Sequence, residues 1–275
     1  MDPFKFIREN EVPPESNIVS FKGLTETEKW YAYFYKGTQV MKNLLSIRDA
    51  EKLEKVEKQI SRVKAVSVNK LNIEGDFDFN RLKLIHRFYF EELYSWAGEP
   101  RQVNMYKAGG VQNTFVSYGN IEKEFNDLST KISATNNLGK FKDNPELMAM
   151  ALCEVYLSIN RIHAFREGNG RSQNEFVRQL AEHNGYKLDL RASMEKIGRD
   201  QYYFWFQYFD KTGDSSLVLN NLFKANLEKL QINQIGERQS FSRQFKEANQ
   251  VAKNKIAEHT ASINKAQGEY RSIKQ

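Results

Sequence analysis

The sequence predicts a mainly α-helical protein. Apolar residues recur at helical spacing through the middle of the chain, as Leu53, Val56 and Ile60 do, and again Phe176, Val177, Leu180 and Ala181. Start and stop signals bracket such stretches: Asn144-Pro145 opens one, Asn184-Gly185 closes another. Alternating, strand-like sequence is short and confined to residues 103–118, where Val103, Met105 and Phe115 offer it. A chain of 275 residues fits one large domain with an appendage. We divide it into an irregular N-terminal segment (1–24), a helical domain (25–232) and a basic helical extension (233–275).

Pro13-Pro14 punctuates the irregular start. Residues 25–39 read as an aromatic helix capped by Thr25 or Thr27. A charged helix follows over 49–66, then a strongly amphipathic one over 79–94. Residues 121–132 form the next, with Asn120 as N-cap, and a long apolar helix runs from Pro145. The helix after it ends at Asn184-Gly185, and residues 192–209 and 215–230 complete the domain as two more helices. Residues 236–275, rich in Lys, Gln, Ala and Glu, read as a long basic amphipathic helix lying in solvent on the domain. A dimerisation arm and a partner-docking surface are the alternatives.

The net charge of +6 is too modest to mark a nucleic-acid surface by itself. The single cysteine, Cys153, sits in an apolar helical run and reads as a buried reduced thiol, which implies a reducing, cytoplasmic setting. No zinc-type spacing of Cys and His occurs, and His86, His183 and His259 read as structural or exposed. The first 20 residues carry charges throughout and do not read as a cleavable secretion signal, and no apolar run has membrane-spanning length.

The densest chemistry lies between two of the predicted helices, in Ile162-His163-Ala164-Phe165-Arg166-Glu167-Gly168-Asn169-Gly170-Arg171. Gly168 and Gly170 suit a tight turn that brings backbone close to a ligand. The N–H groups at the start of the following helix, with the positive end of its dipole, suit phosphate. Arg171 adds a forked contact to a phosphate oxygen, and Asn169 can donate to a second. Glu167 is the loop's only carboxylate, hence the candidate for holding Mg²⁺ beside phosphates. His163 titrates near neutral pH and can take a proton from an attacking hydroxyl. This is a layout for phosphoryl or nucleotidyl transfer.

Residues 163–171 closely resemble the signature of the Fic family, H-x-F-x-D/E-G-N-G-R-x-x-R, at nearly every defined position. The resemblance implies a Fic-type helical bundle with a short β-hairpin flap, transferring AMP from ATP to a hydroxyl side chain of a target protein. It makes His163 the base and Phe165 the anchor of the loop. It gives Mg²⁺ to Glu167, the α- and β-phosphates to Gly168, Asn169 and Gly170, and the β-phosphate to Arg171. The related Doc kinases have lysine where this chain has Gly170, so glycine here favours AMP transfer. The signature's second arginine, which meets the γ-phosphate, is Asn174 in this chain. An amide there donates a hydrogen bond without charge; Arg178, one turn on, either substitutes for the arginine or is a surface charge.

Residues 33–43 resemble the N-terminal segment of Fic domains in bacterial secreted effectors and plasmid-borne toxins. Residues 84–90 and 94–101 resemble the family's helix and the turn that leads to its flap. The resemblance places the flap at 103–118, with Val103, Met105, Lys107 and Phe115 pairing with extended target backbone and Gly109-Gly110 at or near the tip. The family's inhibitory pattern, [S/T]-x-x-x-E-[G/N], is met neither by residues 5–10, which start on Lys5, nor by 95–100, which end on Pro100. Control by a separate small antitoxin or by occlusion in a homo-oligomer is therefore implied, and type IV secretion into a host cell stays open. The alternatives to AMP transfer are a catalytically weakened binding module, motivated by Asn174, and transfer of another phosphate-containing group.

Overall fold

A computed structural model describes residues 16–68, 71, 73, 75–106 and 115–230. The chain clusters into two units: Met1–Val68 with Ile73–Lys229, and Asn69–Asn72 with Leu230–Gln275. In the second unit only Leu71 and Leu230 are described, so the helix expected over 236–275 lies outside the described residues.

The first unit is mainly helical, and four of its helix starts are set by short polar side chains. Helix α1 (Glu26–Ala32) opens on a reciprocal capping box: the Thr25 hydroxyl accepts from the Glu28 N–H, and the Glu28 carboxylate accepts from the Thr25 N–H. It stops at Ala32 rather than near Gln39. Tyr33 and Tyr35 turn inward and are almost fully buried, while Phe34 bridges to Met41 around Gly37 (φ +72°). Helices α2 (Ala50–Ser67) and α3 (Phe79–Phe90) are capped by Asp49 and Asp78. α3 ends one turn earlier than the sequence pattern suggests, because the chain bends to bury Leu93, Tyr94 and Trp96.

Helix α4 (Ile121–Ala134) buries Ile121, Phe125, Leu128 and Ile132, an i, i+4, i+7, i+11 stripe. Asn120 is its N-cap residue, but its side chain makes no capping bond. Helix α5 (Pro145–Ile162) is capped by Asn144, whose Oδ1 accepts from the N–H groups of Glu146 and Leu147. Helix α6 (Asn169–His183) packs on both α3 and α5, and α4 packs on α5. Ile85, Tyr156, Phe176, Val177 and Leu180 meet in this core with no exposed surface.

The C-terminal third departs from expectation. The helix expected over 192–209 is broken at Gly198 (φ +90°) into α7 (Leu190–Ile197) and α8 (Arg199–Thr212). The helix expected over 215–230 is a short turn, α9 (Ser216–Val218), followed by a π-helix (Leu219–Lys224). It ends in strand β2 (Leu227–Lys229), which pairs antiparallel with β1 (Tyr186–Leu188). The wider π turn lets Val218, Leu222 and Phe223 all face the core, a spacing that apolar periodicity alone reads as ordinary helix. The flap expected at 103–118 has no strand over Val103–Tyr106 or Phe115–Ser117, and residues 107–114, with Lys107 and Gly109-Gly110, lie outside the described residues. No described helix is long and apolar enough to cross a membrane.

Candidate active site

The site is built where α5 gives way to α6. α5 ends on His163, a non-glycine residue in the left-handed region (φ 48°, ψ 59°) whose N–H donates to the Ile159 carbonyl. This reverses the chain in one residue and leaves the imidazole part-exposed, stacked on Phe115 with ring centroids 3.6 Å apart. Ala164 and Phe165 then dive into the core, and the Phe165 ring stacks on that of His86 at 3.8 Å.

Asn169 closes the loop on itself. Its Oδ1 accepts from the Phe165 N–H (2.8 Å) and its Nδ2 donates to the Phe165 carbonyl (2.7 Å). The amide expected to reach a phosphate is thus engaged with the loop's own backbone, and the backbone N–H of residue 169 is what remains for a ligand. Gly168 is the N-cap of α6 in the left-handed region (φ +80°), so no side chain caps the helix, and the first-turn N–H groups of Asn169, Gly170 and Arg171 keep no capping acceptor. A Cβ at 168 would lie 2.2 Å from the Phe90 ring; one at 170 would meet nothing within 4 Å. Glycine at 168 answers the protein's own packing, and glycine at 170 leaves space open on the ligand side. Gly168→Ala is expected to destabilise the fold by about 2–5 kcal/mol, from left-handed strain plus overpacking. Urea unfolding measures it, and trimming Phe90 to Leu in the same chain recovers part of the loss.

Arg171 is held on three sides. Its Nη1 donates to the Ser61 hydroxyl (2.6 Å) and its Nη2 to Glu57 Oε1 (2.5 Å), while the guanidinium lies 4.5 Å over the Phe90 ring. A weaker contact reaches Glu167 Oε1 at 3.5 Å. Glu57 is in turn fixed by the Tyr94 hydroxyl (2.5 Å), whose pKa is raised by burial and then by that carboxylate. Sequence reading gave Glu57 and Ser61 no role. The available signal was a carboxylate inside the inward stripe of α2, among Leu53, Val56 and Ile60.

Three further residues escaped sequence reading. Arg101 is 1% exposed, and its guanidinium is surrounded by backbone carbonyl oxygens. Its guanidinium donates to the carbonyls of His163 (2.8 Å), Val103 (2.6 Å), Val116 and, more loosely, Ile162 (3.4 Å), while its own N–H donates to Ala164 O (2.9 Å). It thereby satisfies carbonyls orphaned at the end of α5 and ties both stems of the flap region to it. Arg166 is buried in a cage of Trp30, Phe34 and Tyr33, with its guanidinium 4.5, 5.1 and 5.6 Å from the rings. His86 is fully buried, and burial holds its imidazolium down to about 3.

Asn174 sits one turn beyond Arg171 with its Oδ1 buried and without a hydrogen-bond partner. Arg178 neither substitutes for the missing arginine nor is a plain surface charge: it is forked onto Glu175 (2.7 and 2.8 Å) and also pairs with Glu182 (2.8 Å). Of the flap residues, Val103 is buried, Met105 part-exposed and Phe115 against His163. Cys153 is buried in α5 and its thiol is pushed up to about 12 by burial, as suits an inert thiol. Among the described residues no group of three or more His, Cys, Asp or Glu gathers to hold a metal. Glu167 stands alone beside the helix start, with Oε1 accepting from the Gly168 N–H (2.9 Å). That donor set fits Mg²⁺, which takes one or two carboxylates and draws its other oxygens from water and phosphates.

Fold and loop together define a helical domain with a histidine in the loop before a helix start that no side chain caps. The Fic/DOC family model matches residues 76–181, which contain α3, α5 and most of α6. The chain is 34% identical over 155 residues to a probable protein adenylyltransferase, y4lH, of Sinorhizobium fredii, across 56% of this chain and 77% of that one. It is 32% identical over 201 residues to protein adenylyltransferase VbhT of Bartonella schoenbuchensis, across 71% of this chain but only 39% of the relative's length. Among solved structures it resembles BepC of Bartonella tribocorum, a VirB-translocated effector crystallised with AMPPNP. There the TM-score is 0.65 and the identity 24%, over 73% of this chain and 98% of that one. The chain belongs to the Fic/DOC family.

Proposed function

We propose that this chain is a protein adenylyltransferase: it transfers AMP from ATP to a serine, threonine or tyrosine hydroxyl of a target protein. The observation that carries the reading is one short loop in which His163 ends α5 in the left-handed region and α6 then opens at Asn169 on a first turn that no side chain caps. ATP lays its phosphates on the N–H groups of residues 169–171, where the helix dipole favours negative charge. Arg171, held by Glu57 and Ser61, adds a charged donor to the β-phosphate. The target hydroxyl attacks the α-phosphorus, its proton passes to His163, the α–β bond breaks, and pyrophosphate leaves with the bonding electron pair. Mg²⁺ on Glu167 would neutralise charge on the phosphates. The target's extended backbone lies along the flap region, contacting Met105, Lys107 and Phe115; Val103, expected to join them, is buried and its carbonyl is held by Arg101.

Residues 25–232 form the transferase domain on this reading, and 233–275 an extension. The absence of the inhibitory pattern from the sequence supports control from outside the domain, by a small antitoxin or by self-association. The protein works in the bacterial cytoplasm. Delivery by a type IV system is the alternative suggested by the likeness to translocated effectors. A second reading, a weakened Fic domain serving as a binding module or moving another phosphate-containing group, is favoured by Asn174, whose unpartnered Oδ1 stands where the signature has a charge.

Incubation of the protein with ATP, Mg²⁺ and a bacterial lysate, followed by peptide mass spectrometry, tests the reading. One added AMP on a hydroxyl side chain is expected; a bare phosphate or a different adduct overturns it. Asn174→Arg is expected to lower the KM for ATP about tenfold or more, because a charge-assisted hydrogen bond contributes about 1.5–3 kcal/mol. An unchanged KM rules out a missing γ-phosphate contact.

A further inference from the structure

We propose that His86, outside the signature loop, is a positioning residue that sets which side of the Glu167–Gly168 peptide faces the phosphates. The Gly98 N–H donates to His86 Nδ1 at 2.8 Å. A backbone N–H can only donate, so Nδ1 is the bare nitrogen and the ring proton is on Nε2. Nε2–H therefore donates to the Glu167 carbonyl, 3.0 Å away. The ring cannot turn to exchange these roles. It is fully buried and stacked on Phe165, with Phe90 at 4.7 Å and Trp96 at 5.8 Å on other sides.

The consequence follows from peptide geometry. The chain has no cis peptide bond among the described residues, and across a trans peptide the C=O and the next N–H point in opposite directions. Fixing the Glu167 carbonyl toward α3 turns the Gly168 N–H the other way, where it meets Glu167 Oε1 at 2.9 Å. That N–H immediately precedes those of residues 169–171 in the chain, and its present acceptor is the Glu167 carboxylate, an anion on the same side of the peptide. With this peptide flipped, a carbonyl oxygen would point at the phosphates and repel them, and the His86 Nε2–H would be buried without an acceptor. α3 thus supports the loop twice in successive turns: Phe90 underlies Gly168 and the Arg171 guanidinium, and His86, four residues earlier, holds the peptide before Gly168.

The inference rests on the phosphate-binding reading above, and its test separates the two. ATP and adenosine are each titrated into the wild-type protein, His86→Phe and His86→Gln, with the melting temperature recorded. His86→Phe keeps an aromatic ring for stacking and loses both hydrogen bonds. It is expected to weaken ATP at least tenfold while leaving adenosine affinity within twofold, a selectivity that mere loosening of the core would not give. His86→Gln, which offers an acceptor and a donor, is expected to recover most of the loss. Equal ATP affinity in wild type and His86→Phe, or a parallel loss of ATP and adenosine, overturns the inference alone. A wild-type protein that binds no ATP overturns the phosphate-binding reading instead. Should His86→Phe not fold, ring nitrogen NMR of the wild type decides: the Nε2–H tautomer at pH 7, with the ring resonances moved by ATP and not by adenosine, is expected. A ring protonated on Nδ1, or one indifferent to ATP, overturns it.

Discussion

His163→Ala is expected to slow AMP transfer by about 10²–10⁴-fold, the usual contribution of a positioned general base. ATP affinity should stay within a few-fold of wild type. The reason lies in the division of work in the proposed reading: phosphates on the backbone N–H groups and Arg171, and the imidazole apart from them at the end of α5, against Phe115. Alanine removes the base and the ring stack without touching the hydrogen bonds between Asn169 and Phe165 that close the loop. Loss of the stack lowers stability by about 0.5–1.5 kcal/mol, measurable by denaturant unfolding. Single-turnover labelling with saturating ATP separates the two quantities. A binding module would behave differently, keeping whatever cellular phenotype it causes when His163 is replaced.

The second large effect is expected far from the reacting atoms. Arg101→Met should destabilise the protein by about 4 kcal/mol or more. It strips donors from the carbonyls of Val103, Val116 and His163, all of which the guanidinium now satisfies, and each buried unsatisfied group costs about 1–3 kcal/mol. The side chain is also one of the largest fully buried groups in the molecule, so its packing is lost with its charge. Burial pulls the Arg101 guanidinium down to about 10, so the carbonyl oxygens it donates to are what compensate its desolvation. Urea unfolding followed by far-UV circular dichroism gives the number. Because Arg101 grips the His163 carbonyl and both flap stems, transfer activity should fall even where the variant remains folded. Arg101→Lys, with one point charge in place of a fork, should recover little.

Much of this architecture was legible from local chemistry. The caps at Thr25 and Asn144, the helix over 121–132 and the loop between α5 and α6 all follow from residue type and spacing over less than two turns. What escaped depends on contacts distant in sequence. Residues 215–230 carry apolar residues at helical spacing, yet pairing of Leu227 with Leu188 takes the end of the segment into a strand. Residues 25–39 look helical throughout, yet Tyr33 and Tyr35 are worth more buried than at the surface of a longer α1. The partners of Glu57, His86 and Arg101 are not legible locally, because each acts on a loop 60 or more residues away; the sequence offers only a carboxylate in an apolar stripe for Glu57 and a structural reading for His86. Asn169 was read as facing a ligand, and its amide instead bonds the loop four residues before it, a local turn that composition does not distinguish from an open one.

The central claim is that nucleotide phosphates settle on the start of α6 beside His163. Backbone amide NMR of the wild-type protein, titrated with Mg²⁺-ATP and separately with adenosine, tests it most directly. ATP should move the amide resonances of Gly168, Asn169, Gly170 and Arg171 more than any others, and adenosine should leave those four nearly unmoved. ATP binding that shifts residues elsewhere while these four amides stay in place would contradict it.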